Sequence, residues 1–231
     1  MKLSPLTTKI LKNFASINAG MLFRKGVFQY TISPLSTIIA EAILPDCFER
    51  TFAIYDLEGF LKILKTFDDP ELVFEEYFIS IKENRKSAKF FYSDPSLVIS
   101  PKKEPYAHDD VSLQFLIDSN TLKNIWTVSE ISSYFKYLRI WSNEGMVVLS
   151  LTAKEVKERA INSYDIEVGS LENQKLKDFS LFIQLENLKV LEGDYEFVIS
   201  ELPAKTGKSV FILRLCNQTI PVTYWTSLEN E

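Results

Sequence analysis

Apolar residues open the chain at helical spacing. Leu6, Ile10, Phe14 and Ile17 fall on one face, and Lys9, Lys12, Asn13 and Ser16 gather on the other. Ser4 offers an N-cap oxygen, and Pro5 suits the first helical position because the N–H it lacks would be orphaned there anyway, so the spacing predicts a helix from Pro5 through Ile17. A second helical period covers residues 55–65, with Leu57, Phe60, Leu61 and Leu64 apolar and Glu58, Lys62 and Lys65 opposite. Strand-like segments surround these two at 21–31, 36–43, 71–82 and 89–92, and Asn84-Arg85-Lys86 reads as a hairpin turn.

The second half repeats that order. Leu122-Lys123-Asn124-Ile125 echoes Leu11-Lys12-Asn13-Phe14, and the run Leu185-Glu186-Asn187-Leu188-Lys189-Val190-Leu191 echoes the helical run that begins at Leu57, with one residue dropped. The lysines are carried over together with the core leucines. Strand-like segments follow at 138–152, 163–168, 195–202 and 209–216, while residues 153–160 are expected to be strand or loop despite their high helix propensity. Between the halves, residues 94–110 hold Pro95, Pro101 and Pro105 without a sustained period, as an extended connector does. Two α+β domains follow, residues 1–104 with most of the connector and residues 105–231, each with two short helices and antiparallel strands.

Composition narrows the class. At 231 residues, with 46% hydrophobic and 13% aromatic side chains and only 7 glycines, the chain is a folded, strand-rich protein. No stretch approaches the roughly 20 apolar residues of a membrane span, and the N-terminus alternates lysine with apolar residues, so a soluble, intracellular protein with no membrane partner is expected. Cys47, Cys216 and His108 cannot make a zinc cluster, and two partly buried free thiols and a loop histidine are expected.

Net charge is −5, and its distribution matters more than its size. Residues 1–100 carry 12 basic and 12 acidic side chains, and residues 101–231 carry 14 and 19, so the deficit lies wholly in the second half. Tight binding to nucleic acid by bulk charge is excluded, whereas a basic surface confined to one face is not.

Catalytic motifs are absent. Gly207-Lys208-Ser209 resembles the tail of a phosphate-binding loop, but that motif needs a glycine where Leu202 stands, and a hairpin turn is the better reading. Adjacent acids at Asp68-Asp69, Glu75-Glu76 and Asp109-Asp110 read as solvated turns or strand ends, not as a converging acid/base pair. No nucleophile is paired with a histidine base, so no catalytic residue, metal site or cofactor is expected. What remains is lysine. Lys9, Lys12, Lys62, Lys65, Lys123 and Lys189 lie on the polar faces of the four expected helices. On any one helix this is an ordinary solvated face. The same bias on four would give an acidic protein one positive surface, able to follow phosphates without reading bases.

The runs Met1-Lys2-Leu3-Ser4, Thr7-Thr8, Leu11-Lys12-Asn13-Phe14-Ala15, Ile17-Asn18, Gly20 and Ala53-Ile54-Tyr55-Asp56-Leu57-Glu58-Gly59-Phe60-Leu61 resemble the DNA polymerase sliding clamp of large myovirus-type tailed bacteriophages. The likeness resumes at Asp94-Pro95-Ser96, Val98 and Pro101. It is faint in the second half, at Leu188-Lys189 and Gly193-Asp194-Tyr195, and the central hairpins and the tail after Cys216 align with little.

The resemblance implies a non-enzymatic homotrimeric ring in the host bacterial cytoplasm. Each chain would supply two topologically similar clamp domains, with antiparallel sheets outside and two helices apiece lining a central hole for double-stranded DNA. It implies a replicative DNA polymerase tethered for processive synthesis and an ATP-driven clamp loader, and it allows late transcription factors as further partners. Clamp partners insert short peptides at an apolar site near the domain junction, for which Val98, Ile99, Pro101 and Tyr106 are the candidate wall. The same residues would equally serve to hold the connector against its own domain. The rival class is a strand-rich structural or assembly protein of a phage particle, which has no reason to keep lysine at matching positions in both halves.

Overall fold

The computed structural model describes residues 1–102, 110–153, 162–202 and 209–230. The chain divides into two compact units, Met1–Pro105 and Tyr106–Glu231.

The first unit opens with α1 (Pro5–Ile17), where Ser4 accepts a hydrogen bond from the Thr7 N–H at 3.1 Å and Pro5 occupies the first turn. Thr7, Ile10, Leu11, Phe14 and Ile17 are its buried side. Then come β1 (Met21–Phe23), β2 (Gly26–Ile32), β3 (Ile38–Phe48), β4 (Phe52–Ile54), α2 (Leu57–Leu64), β5 (Glu71–Phe74), β6 (Phe78–Glu83) and β7 (Lys86–Phe91). Pairing is antiparallel throughout: β1 with β4, β2 with β3, and β5-β6-β7 as a three-stranded sheet. An aromatic cluster fills the space between strands. Phe23 stacks on Phe52 at 4.6 Å between ring centres and meets Phe48 edge-on at 4.9 Å, and Phe74 closes on both Phe48 and Phe52. Each such ring stabilises by about 1.5–3 kcal/mol when fully buried.

The second unit contains β8 (Val111–Ile117), α3 (Ser119–Ile131), β9 (Tyr137–Asn143), β10 (Met146–Thr152), β11 (Tyr164–Ser170), β12 (Ser180–Gln184), β13 (Tyr195–Leu202), β14 (Val210–Asn217) and β15 (Val222–Asn230). They form one antiparallel succession, β11-β10-β9-β12-β15-β14-β13-β8. Alternation fixes the inward face: Leu113, Phe115 and Ile117 of β8 are buried while Gln114 and Leu116 are exposed. Along the outer edge of β8 a side chain takes the part of a neighbouring strand. Gln174 accepts the Gln114 N–H through Oε1 at 3.1 Å and donates from Nε2 to the Gln114 carbonyl at 3.0 Å, and the Leu176 N–H reaches the Ser112 carbonyl at 3.0 Å.

Several expected elements are redrawn. The single strands expected over 71–82 and 138–152 are hairpins, the second turning at Glu144-Gly145, both at positive φ (47° and 83°), which glycine tolerates at no cost. The turn after β6 is centred on Asn84, at φ 50°, and Lys86 already belongs to β7. Strands β4, β8, β12 and β15 lie outside the segments expected to be strand.

The helix expected at Leu185–Leu191 is a single 3-10 turn, Leu185–Asn187. Its cap explains the difference. In α2, Asp56 accepts the Gly59 N–H at 2.8 Å, whereas the matching position before Leu185 is Gln184, whose side chain makes no cap hydrogen bond. After the turn, Leu188, Val190 and Leu191 are buried and Lys189 is exposed, and the segment continues without helix. The second unit therefore has, among its described residues, one α-helix and one short turn, not two helices. The expectation for 153–160 falls almost wholly outside the described residues, as do His108, Gly207 and Lys208.

Candidate nucleic-acid interface and partner site

In the first unit α1 packs on α2, and their polar sides adjoin. Lys12, Ala15 and Ser16 of α1 and Glu58, Leu61 and Lys62 of α2 line a groove of about 470 Å³ that Lys65 completes at the end of α2. A second groove holds Lys9 and Lys12 on one side and Leu61, Leu64 and Lys65 on the other. Four of the six lysines singled out from the sequence thus line one pair of adjoining grooves, with side chains turned away from the core. Amphipathic spacing alone produces this: once Ile10, Leu11, Phe14, Leu57, Phe60 and Leu61 are buried, the lysines have nowhere to point but outward.

Two carboxylates stand among them, Asp68 at the second groove and, at the first, Glu58. Its Oε1 lies 2.6 Å from Lys62 Nζ, one helical turn on, and that hydrogen bond pushes the Lys62 pKa up. Both ends are exposed, so the pair contributes little to stability. Its effect is to steer one ammonium group along the helix and soften the local positive field.

In the second unit Asp118 caps α3 by accepting the Thr121 N–H at 2.7 Å, which holds the Asp118 carboxyl below the usual carboxylate range. Asp194 accepts the Ser119 N–H at 2.7 Å. Leu122 and Ile125 are buried, which leaves Lys123 exposed. Lys189 is exposed two residues beyond the 3-10 turn. The last turn of α3 and the 3-10 turn share a groove lined by Ser129, Phe135, Lys136, Gln184, Leu185 and Glu186. Neither Lys123 nor Lys189 lines it. Lys136 does, and it is exposed. No periodic signal marked it, because it stands between helix and strand.

Ser93, just before the connector, donates its N–H to the Ala53 carbonyl at 2.9 Å, and the connector opens with a 3-10 turn, Pro95–Leu97, that Asp94 caps through the Ser96 N–H. Val98 is buried, with its Cγ2 against Gly20. Pro101 is buried as well, and its carbonyl accepts a hydrogen bond from Arg24. Ile99 is 50% exposed and its neighbour Leu97 is 63% exposed. Of the four residues expected to wall a partner site, two therefore pack inward, Ile99 offers apolar surface outward, and Tyr106 lies outside the described residues. Leu97 was not singled out from the sequence.

Other chemistry is sparse. Cys47 is exposed rather than partly buried, and Cys216 is half-buried. Asp68 and Asp69 are exposed, with their N–H groups donating to the Glu83 carboxylate, and Asp69 pairs with Lys2. Among the described residues no cluster of three or more His, Cys, Asp or Glu side chains is placed to hold a metal ion, and no helix is long and apolar enough to cross a membrane.

Comparison with known proteins gives one answer. The family described as DNA polymerase processivity factor matches residues 2–98. The sliding clamp of Enterobacteria phage T4 is 32% identical over 203 residues, covering 86% of this chain and 87% of the relative. That of Vibrio phage KVP40 is 28% identical over 202 residues, covering 86% and 90%. Among solved structures, the PCNA2–PCNA3 complex of Sulfolobus tokodaii aligns over 100% of both chains with TM-score 0.65 at 14% identity. A. fulgidus PCNA bound to the C-terminal region of FEN-1 aligns over 100% and 98% with TM-score 0.66 at 12% identity, and the Helicobacter pylori beta clamp bound to a DNA ligase peptide over 100% and 67% with TM-score 0.59 at 16% identity. At such identities the structures speak for the fold alone, the α+β DNA clamp fold, while the phage relatives speak for descent. The chain belongs to the sliding clamps of tailed phages, the DNA polymerase processivity factors, which are not enzymes.

Proposed function

We propose that three copies of this chain close into a ring around double-stranded DNA in the host bacterial cytoplasm and tether the replicative DNA polymerase. The clamp domains are assigned to residues 1–104 and 105–231. Lys9, Lys12, Lys62, Lys65, Lys123 and Lys189 face the duplex. The observation that carries this reading is the α1–α2 surface, where four lysines surround two grooves on a protein of net charge −5.

Topology and charge divide the work. A closed ring stays on DNA because it encircles it, so its affinity need not be high. Each phosphate contact steepens the dependence of log K on log salt by roughly 0.9, and many tight contacts would roughen the path along the duplex. Lysine suits sliding because its ammonium is a flexible point charge, without the bidentate geometry by which arginine locks a register. The acidic remainder discourages DNA from adhering elsewhere. Tethering turns each rebinding of the polymerase into an intramolecular event, and processivity follows.

Three identical chains close by a heterologous, head-to-tail contact repeated three times. Opening falls to an ATP-driven loader, since the sequence carries no nucleotide-binding motif. Late transcription factors are admitted as further users of the ring. Val98, Ile99, Pro101 and Tyr106 remain the residues assigned to the partner site, with Ile99 as its exposed apolar contact and the buried Val98 and Pro101 as its support. The A. fulgidus and H. pylori clamps, bound to a FEN-1 segment and a ligase peptide, support a peptide-docking mode of this kind.

Light scattering on a size-exclusion column across a range of concentrations tests the ring. A species of three times the 26.6 kDa chain mass is expected. A large open assembly would overturn it.

A further inference from the structure

Two side chains outside the connector bind its backbone. Asn18, at the C-terminus of α1, is 7% exposed, and its carboxamide is fully engaged. Nδ2 donates to the Ile32 carbonyl at the end of β2 and to the Ile99 carbonyl in the connector, both at 2.9 Å, and Oδ1 accepts the Gly20 N–H at 3.1 Å. One buried amide therefore joins the end of a helix, the end of a strand and a segment 81 residues away in sequence. Arg24, the residue after β1, makes the second tie. Its Nη2 donates to the Pro101 carbonyl at 2.8 Å while its guanidinium lies 4.8 Å from the centre of the Tyr30 ring, a stacking that fixes its direction.

These contacts fall at alternate connector residues and point the same way. The carbonyls of Ile99 and Pro101 are pulled inward, and Val98 is packed against Gly20. Ile99 and Leu97 are left with side chains in solvent. Leucine and isoleucine gain nothing from that exposure within the unit. The two ties fix the backbone that carries them outward.

We propose that Asn18 and Arg24 are positioning residues: by gripping the backbone at Ile99 and Pro101 they hold the connector in the register that presents Leu97 and Ile99 as an apolar docking strip for the polymerase. The inference rests on the reading that partners dock at the connector, and it adds the two residues that shape the site without touching the partner. Holding the strip ready lowers the ordering cost that binding would otherwise carry. Asparagine is suited to the inner tie because its short side chain gives two donors and an acceptor from one planar group.

The test uses the full chain with its cognate polymerase and loader. Asn18→Asp keeps the acceptor for Gly20 and turns both donors into an acceptor facing two carbonyls. Arg24→Ala removes the outer tie from a site nearer the surface, and Arg24→Lys keeps a donor there. Two readouts are taken: hydrogen exchange of the connector amides, and the polymerase concentration that gives half-maximal clamp-dependent primer extension. Loss of a tie is expected to speed connector exchange and to raise the half-saturating concentration about five- to tenfold, the equivalent of one hydrogen bond. The maximal rate should stay unchanged, and Arg24→Lys should restore most of the loss. If Asn18→Asp compromises folding, the Arg24 pair decides. Unchanged exchange in Arg24→Ala overturns the grip. Faster exchange with an unchanged half-saturating concentration overturns its role in docking. Ile99→Asp separates that failure from the failure of the underlying reading: if it too leaves polymerase binding intact, the connector is not the docking site.

Discussion

Tyr195 and Tyr224 hold Leu191 from both sides. The Tyr195 hydroxyl donates to the Leu191 carbonyl at 2.8 Å, and the Leu191 N–H donates to the Tyr224 oxygen at 3.2 Å, while both rings are fully buried. The segment that lacks its expected helix is thus anchored by side chains from β13 and β15, which supply the partners that helical hydrogen bonds would have given. Tyr195→Phe leaves the buried Leu191 carbonyl without its donor and is expected to cost about 1–3 kcal/mol in urea unfolding. A Tyr195→Phe protein with unaltered stability would show that the latch carries no weight.

The same pair sets an alkaline limit. Burial pushes the Tyr195 hydroxyl up to about 12, from an ordinary 10.0, and moves Tyr224 upward as well. A phenol whose folded-state pKa is raised keeps its proton longer in the folded chain than in the unfolded one. Its contribution is complete below the unfolded value and is lost as pH rises from about 10 toward 12. Unfolding midpoints measured across the alkaline range should fall, and the fall should be shallower in Tyr195→Phe.

Lys12 and Lys123 occupy matching places in the repeat, one on α1 and one on α3, and both are exposed. Reversing both to glutamate should leave the assembly's mass unchanged and impair loading or processive synthesis. The slope of log K against log salt should flatten by about 0.9 for each phosphate that is no longer neutralised. Full processivity in the double variant would remove these lysines from the DNA-facing surface.

Asp56 and Gly59 are a matched pair at the start of α2. A Cβ built on Gly59 would collide with Asp56 Oδ2, so the capping carboxylate in this rotamer fills the space that a side chain at 59 would take. Asp56→Ala should destabilise by about 1 kcal/mol. Gly59→Ala, which adds roughly 1 kcal/mol of helix propensity, should yield little net gain because it displaces the cap. In a double-mutant cycle the two changes should be strongly non-additive, with the alanine at 59 beneficial only once Asp56 is gone.

Where the sequence was legible, a local rule agreed with the packing. Ser4-Pro5 and the spacing from Leu6 to Ile17 are sufficient for α1, and the outward lysines of α1 and α2 follow from the same periodicity. Leu185–Leu191 copies the leucines of α2, but Gln184 stands where Asp56 stands, and a hydrophobic period without a cap did not become a helix. The pattern over 138–152 hides two strands, β9 and β10, because the tight turn at Glu144-Gly145, preceded by Ser142 and Asn143, interrupts the apolar run for only four residues. The inward turn of Val98 and Pro101 depends on Asn18 and Arg24, far away in sequence, and no pattern in the connector itself encodes it.

Gln174 is open to a direct test. Gln174→Ala frees the N–H and carbonyl of Gln114 on the edge of β8. An unpaired edge is a template for other strands, so the variant should show concentration-dependent aggregation beyond the normal assembly in light scattering.

A side chain used as a strand also changes how the protein can be copied into larger structures. Sheets lengthen as polymers do, each edge accepting the next unit, and a polymer stops when an end group reacts but offers nothing to its successor. The amide of Gln174 is such an end group: it satisfies the backbone of Gln114 and, being a side chain, carries no ladder of its own for a further strand to extend. Together with the Leu176 N–H on the Ser112 carbonyl, it ends the sheet at the β8 edge with groups that hand nothing on.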